Sequence, residues 1–283
     1  MALRRLELPT SWGPLLLVGG SRAGEGTLVL LPQLRLALDA GRPHRALPPM
    51  STVFVSHGHL DHIGAVAYWA SQRFLGAMQH GVLLAPAAIA GDIQGLLELH
   101  ATLEGGRPYD VEVVPVTGGG TYTLRKDIRL TFFATDHWVP TLGASLAWHK
   151  HRLRPELVGM PEEEIVRLRM AGEEVDQELV LQLLSYTADT GPGIFTTHPE
   201  AFEAEVVLLE CSFWRPADRD RAREFGHLHL DDLTAIAPLL KCRHLVVLHP
   251  SRRHRLGEAD RVVRERIGPM IRGEAHSLAI DWE

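Results

Sequence analysis

Cysteine is almost missing from this chain: Cys211 and Cys242 are the only two in 283 residues. Their spacing makes neither a zinc knuckle nor a disulfide framework, so a reducing, cytoplasmic setting is expected. Long apolar runs are missing as well. "GPLLLVGG" near the N-terminus is broken by glycine and proline, and "TLVLLPQLRLALDAG" by Pro32, Gln33 and Arg35. Neither reads as a secretory signal or a membrane span. Positive charge is not in excess either. With 29 Lys and Arg against 35 Asp and Glu, the formal net charge is -6, and the surface as a whole offers a polyanion no general attraction. No low-complexity segment or strong internal repeat occurs. What remains is a globular composition, 45% hydrophobic and 23% charged, long enough to bury a substantial core.

The apolar residues come mostly in short runs. "LLLVGG", "GTLVLLP" and "RLALDAG" read as strands joined by turns, and "TVFVS" (Thr52 to Ser56) as a buried strand. Ile63, Val66, Ala67, Trp69 and Ala70 have helical spacing, so a helix is expected after His62. "GVLLAP" is a strand, and "IAGDIQGLLELHATLEG" a helix closed by Gly105 and Gly106. Val111 to Ala134 is strand-rich, with a turn at Gly118 to Gly120, and "LGASLAWH" continues the pattern. Residues 151–178 read as a charged helical insertion. "LVLQLLSYTADT", "AEVVLLECSFW" and "HLVVLHP" are further strands. "LDDLTAIAPLLKC", capped by Asp231 or Asp232, and "EADRVVRERIGPMI" are helices. Two halves, each opening with strands and continuing in strand–helix alternation, suggest two sheets packed face to face with helices outside.

Histidine is abundant, at 16 residues, and four ligand-type side chains crowd one turn. "SHGHLDH", directly after the Thr52 strand, carries His57, His59, Asp61 and His62. One histidine there would read as part of a helix-capping loop. Three with an aspartate read as metal ligands, because zinc favours imidazole nitrogen and accepts carboxylate oxygen. One loop cannot complete such a site, and other strands also end in ligand types: Asp136 and His137 in "FFATDHWVP", Asp189 in "SYTADTG", His249 in "LVVLHPS". Glu210 ends an apolar strand, where a carboxylate is costly unless paired. His44, His80, His100, His149, His151, His198, His244, His254 and His276 lack comparable surroundings and are taken as structural or exposed.

On these residues the chain resembles the metallo-β-lactamase superfamily, whose H-x-H-x-D-H signature "HGHLDH" matches; the similarity extends from about Thr52 to Ser251. The resemblance implies an α/β, four-layer αβ/βα sandwich, one domain over 1–283, with two divalent metal ions at its strand ends. Zinc comes first, though manganese and iron also suit a His/Asp set. It implies His57, His59 and His137 on one ion, Asp61, His62 and His249 on the other, and Asp189 bridging them. "DHWVPTLGASL", "LLECSFW", "EFGHLHLDDL" and "LHPSRRH" are similar to segments of the ribonuclease Z group. That group implies a phosphodiesterase or endoribonuclease that attacks through a hydroxide shared by the ions. Asp61 would orient the water, and His227, steered by Glu210, would protonate the leaving oxygen. His229 is the alternative to His227. A phosphodiester substrate, either a transfer-RNA precursor or a smaller nucleotide, and a homodimer are expected from the same resemblance.

Some features depart from that group. Its P-x-K-x-R-N loop has no counterpart in "VGGSRAGEGTLVLLP". Ala144 stands where tyrosine is usual, and Leu209 replaces a histidine. The segment Lys150 to Glu178 carries five Lys or Arg against eight Asp or Glu, which weakens an RNA reading because phosphate neutralisation dominates RNA affinity. A hydrolase of the same fold acting on a small ester, lactone or cyclic nucleotide is therefore the second expectation. A non-catalytic scaffold is disfavoured by the complete ligand set. Ser251, Arg252 and Arg253 fit either a phosphate site or a solvated basic turn.

Overall fold

The computed structural model describes residues 2–282. One sheet takes its seven strands in chain order: β1 (Arg4–Thr10), β2 (Gly13–Arg22), β3 (Gly26–Leu31), β4 (Leu36–Ala40), β5 (Thr52–Phe54), β6 (Gly81–Pro86) and β7 (Val111–Val116). Pairing is antiparallel from β1 to β4 and parallel from β4 to β7. The other sheet repeats the plan with β8 (Thr121–Arg125), β9 (Ile128–Ala134), β10 (Leu142–Leu153), β11 (Asp176–Tyr186), β12 (Val206–Glu210), β13 (His244–Leu248) and β14 (Glu274–Ser277). It is antiparallel from β8 to β11 and parallel from β11 to β14. The helices are α1 (Leu60–Ile63), α2 (Val66–Leu75), α3 (Ala87–Leu103), α4 (Glu162–Met170), α5 (Ile194–Thr197), α6 (Arg219–Glu224), α7 (Leu230–Ile236) and α8 (Leu256–Val262).

Burial explains the layering. The parallel strands "TVF", "VVLLE" and "HLVVL" are buried along their whole length, as strands covered on both faces must be. Leu17, Leu36, Phe54, Phe132, Leu146, Leu208 and Val246 form the core between the sheets, where Phe54 stacks on Phe132 at 5.3 Å between ring centroids. On the outer face of the first sheet, Val53 and Leu83 pack with Trp69 of α2 and with Ile93 and Leu97 of α3. On the other sheet's outer face, Leu209 and Leu245 pack with Leu233 of α7 and with Ile267. The result is the αβ/βα four-layer sandwich expected from the sequence.

Local expectations fared unevenly. The charged segment after Lys150 is not helical throughout. β10 and β11 pair as far as Leu153↔Asp176, and only a 3-10 turn (Pro155–Leu157) and α4 are helical at the tip of the resulting hairpin arm. The alternating exposure along "DQELVLQ" is the strand period that the glutamates obscured. α7 is capped by His229 rather than by Asp231 or Asp232. The His229 ring accepts from the Asp231 N–H, while the Asp232 carboxylate accepts from the His229 N–H. α8 stops at Val262, and a π-helical turn, Val263–Ile267, carries the chain on. The strands β1 and β14 were not anticipated.

Two tests follow from this packing. Phe132→Ala is expected to cost about 3–5 kcal/mol of stability, read by urea unfolding; a loss under about 1 kcal/mol would contradict the two-sheet core. Cys211 and Cys242 are both buried and unpaired. Burial pushes the Cys211 thiol well above the ordinary range and that of Cys242 up to about 11. The reactive thiolate is therefore scarce at pH 8, and neither cysteine is expected to react with a thiol reagent until the chain unfolds.

Candidate metal centre

The parallel strands of both sheets end at one place, and the ends are bent to aim side chains there. β4 contains a bulge, with Leu28 opposite Ala40 and Val29 opposite Leu38, that leaves Asp39 without a partner and in a left-handed conformation (φ 59°). His249 after β13 (φ 60°) and Ala188 before Asp189 (φ 53°) share that conformation, an unfavourable one kept where a site requires it. The "SHGHLDH" turn leads from β5 into α1, with Asp61 and His62 in its single turn. Gly41 makes this seating possible, since a Cβ there would collide with the Asp61 carbonyl oxygen.

Three overlapping groups of donor atoms result, one of them Asp189, Glu210, His227 and His249. His57, His59, His137 and Asp189 offer atoms within 4.8 Å of one another, as do Asp61, His62 and His249. Asp189 Oδ2 joins the groups: it is 3.7 Å from His57 Nε2 and 3.4 Å from both His62 Nε2 and His249 Nε2. His62 Nε2 and His249 Nε2 are 3.3 Å apart, and Asp61 Oδ2 lies 3.4 Å from the latter. Separations near 3.4 Å are the edges of a tetrahedron with bonds of about 2.1 Å, the geometry of a zinc-class ion.

Partners on the far ring nitrogens set the tautomers. Ser56 Oγ–H donates to Asp39 Oδ2 at 2.8 Å and so accepts from His57 Nδ1 at 3.0 Å. His62 Nδ1–H donates to Asp39 Oδ2 at 2.6 Å. His137 Nδ1–H donates to the Gly226 carbonyl at 2.9 Å. Ser212 Oγ–H donates to Glu210 Oε2 at 2.7 Å and accepts from His249 Nδ1 at 3.0 Å. Each of these imidazoles thus turns a bare Nε2 toward the cluster, and that of His137 is buried with no hydrogen-bond partner. Facing lone pairs and an orphaned nitrogen fit a bound cation, and outer partners of this kind are how proteins orient metal-binding histidines.

The electrostatics agree. Burial, followed by the neighbouring His62, holds the His57 pKa well below its ordinary value, and burial also lowers those of His59 and His137. Neutral imidazole is the form that binds metal. For His62, burial disfavours the charged ring, but Asp189 and Asp39 outweigh it and raise the pKa well above the usual one. Those carboxylates favour any cation placed between them. Burial likewise opposes the charged form of Asp61, yet the neighbouring His249 and His62 keep its carboxyl far below the usual range. Its Oδ2 also accepts the Gly24 N–H at 2.6 Å.

Glu210 and His227 stand beside the cluster. His227 Nδ1–H donates to Glu210 Oε1 at 2.6 Å, and Glu210 also accepts from the N–H groups of Thr190 and Ser212. Burial disfavours the charged His227 ring, but the Glu210 carboxylate outweighs it and raises the pKa to about 9. The His227 ring lies 5.1 Å from that of His137 and 5.3 Å from that of His249. His229 is different. Its Nδ1 accepts from the Asp231 N–H in capping α7 and its Nε2–H donates to the Arg215 carbonyl, so both ring nitrogens are engaged. Asp136 faces the Gly193 N–H rather than the donor cluster.

Sequence reasoning missed Asp39, Ser56, Ser212 and the role of Tyr186. Asp39 accepts from Ser56, His62 and, at 2.5 Å, the Tyr186 hydroxyl. An aspartate closing the apolar run "RLALDAG" was the one available signal. Three clefts flank the centre, one of them, of about 590 Å³, lined by Gly24, Arg42, His59 and Asp61. Another of about 480 Å³ is lined by Thr117, His137, Trp138 and Pro140. The third, of about 670 Å³, is lined by Phe213, Arg221, Phe225, His227, Arg252 and Arg253.

A two-sheet sandwich with a His/Asp cluster where its parallel strands end defines a metal-dependent hydrolase, and comparison with known proteins places it further. The profile of the beta-lactamase superfamily domain matches residues 23–250. The tRNase Z TRZ1 of Arabidopsis thaliana is 28% identical over 264 residues, 92% of this chain and 93% of that protein. A nuclear ribonuclease Z of Triticum aestivum is 32% identical over 158 residues, 56% of this chain and 89% of that protein. Among solved structures, the metallo-beta-lactamase fold protein YhfI of Bacillus subtilis superposes with a TM-score of 0.60 at 16% identity, covering 91% of this chain and 92% of that one. The short form of human tRNase Z gives 0.53 at 16% identity, covering 89% and 94%. The chain belongs to the beta-lactamase superfamily and, within it, to the ribonuclease Z group. It binds divalent metal, and no helix among the described residues is long and apolar enough to cross a membrane.

If Asp39 orients His62, Asp39→Asn is expected to weaken zinc binding about 10–100-fold, measured by competition with a chromophoric chelator. Tyr186→Phe, which leaves Asp39 its other donors, is expected to change it less than about tenfold. Wild-type affinity in Asp39→Asn would remove Asp39 from the centre.

Proposed function

We propose that the chain is a phosphodiesterase of the ribonuclease Z kind, with two zinc-class ions held by His57, His59 and His137 on one side and Asp61, His62 and His249 on the other. Asp189 lies between them. The observation that carries the reaction type is the 2.6 Å contact of His227 with Glu210 at the edge of the donor cluster. Bound divalent ions in such a set supply a nucleophile from water at neutral pH and offset charge that builds on phosphorus.

The remaining work falls to side chains. Asp61, fixed by the Gly24 N–H, is positioned to orient a water beside the cluster. His227 spends its Nδ1 proton on Glu210, so the proton it can deliver is the one on Nε2. A ribose oxygen needs that proton to leave, whereas a nitrophenolate does not. Trp138, 65% exposed with its ring 5.3 Å from that of His59, offers a face for a base, and Arg221, Arg252 and Arg253 offer charge for phosphates. Both sheets supply ligands, so the chain acts as one catalytic domain, with the β10–β11 arm as an insertion. Free buried thiols suit a reducing compartment, cytoplasmic in this reading, and a homodimer is the expected assembly.

A precursor transfer RNA with a 3′ trailer is the first substrate to try. A small cyclic nucleotide, ester or lactone is the second reading, favoured by the acidic arm and the missing P-x-K-x-R-N loop. Chelation is expected to abolish hydrolysis, and zinc or manganese to restore it. His227→Ala is expected to slow cleavage of a ribose-leaving phosphodiester by about 10²–10⁴-fold while affecting bis-p-nitrophenyl phosphate far less. Equal loss on both substrates would remove His227 as the acid. Lactone turnover without any phosphodiester cleavage would establish the second reading.

A further inference from the structure

A second group of metal-binding side chains lies at the opposite end of β13, on residues that the sequence had left as structural or exposed. His244 opens β13 and is paired in register with Glu274 on the neighbouring parallel strand β14. His276 is two residues beyond Glu274, so both project from the same face of β14, toward His244. The His244 Nε2–H donates to the Pro9 carbonyl of β1 at 3.1 Å, which leaves Nδ1 as the bare nitrogen. That nitrogen is 3.3 Å from His276 Nε2, and Glu274 Oε2 is 3.6 Å from both of them.

The carboxylate is too far from either nitrogen for a hydrogen bond, yet nearly equidistant from both. A circle through three atoms with those separations has a radius of about 2.0 Å, which is the length of a zinc–imidazole or zinc–carboxylate bond. The carbonyl behind His244 is the kind of outer partner that fixes a metal-binding imidazole.

We propose that His244, Glu274 and His276 form a further site for a zinc-class divalent ion, completed by solvent on the exposed side of Glu274. The strand β13, five residues long, spans about 17 Å between this site and His249, so the two do not share ligands. The ion clamps the short edge strand β14 to β13 and, through the Pro9 carbonyl, to the first sheet. The proposal uses none of the residues assigned to hydrolysis and stands apart from that reading.

Chelator-stripped wild-type, Glu274→Ala and His276→Ala chains are to be titrated with zinc, and bound zinc per chain counted by atomic emission. Wild type is expected to hold one zinc more than His276→Ala, and Glu274→Ala to bind that last ion at least about tenfold more weakly. Zinc is also expected to raise the unfolding temperature of wild type more than that of either variant. Should His276→Ala fail to fold, Glu274→Ala decides alone, since Glu274 is exposed. Equal stoichiometry and affinity in wild type and Glu274→Ala overturn the proposal.

Discussion

A carboxylate buried among lone pairs is the constraint on which this structure turns. Asp189 is almost wholly removed from water, and its Oδ2 faces the Nε2 atoms of His57, His62 and His249. Such a charge is expensive inside a protein unless a positive one accompanies it. Asp61 and Asp39 add to the demand, which is why the raised pKa of His62 and the lowered ones of His57, His59 and His137 sit side by side. The local field selects a cation at one point and neutral rings around it. The bulge at Asp39, the left-handed Ala188 and His249, and the bare Gly41 are the backbone adjustments that bring those groups to that point.

The outer ring of partners divides the work. Asp39 serves the first sheet's histidines, holding His62 directly and His57 through Ser56. On the second sheet Glu210 does the same for His227, and through Ser212 for His249. Each sheet therefore contributes one buried acid that touches no proposed metal position but decides which nitrogen faces it. In this reading the near-symmetry of the two sheets extends from strand order to the orientation of ligands. It also accounts for Tyr186, whose hydroxyl crosses from the second sheet to the acid of the first.

Much of the fold was legible because β5, β6, β12 and β13 are short, mostly apolar runs and the helices keep their spacing. The arm after Lys150 misled, because Glu162, Glu163 and Glu164 suggest a helix while the flanking strands carry charge on both faces and stand clear of the core. His229 was missed as a helix cap because its role depends on Arg215 and Asp231 meeting it in space. His244 and His276 looked unremarkable for the same reason: 32 residues separate them, and only the β13–β14 register makes them neighbours.

By itself the sequence determined the sandwich and the presence of a ligand-rich turn, since burial periodicity and the cluster His57, His59, Asp61 and His62 are local in the chain. Folding decided what local pattern cannot carry. The separation of Asp189 from three different strand ends, the tautomer of each imidazole, the pairing of His227 with Glu210 and the triangle at His244 are all distances between residues remote in sequence. They are set by strand register, bulges and sheet-on-sheet packing, and these exist only once the two halves close on a shared core.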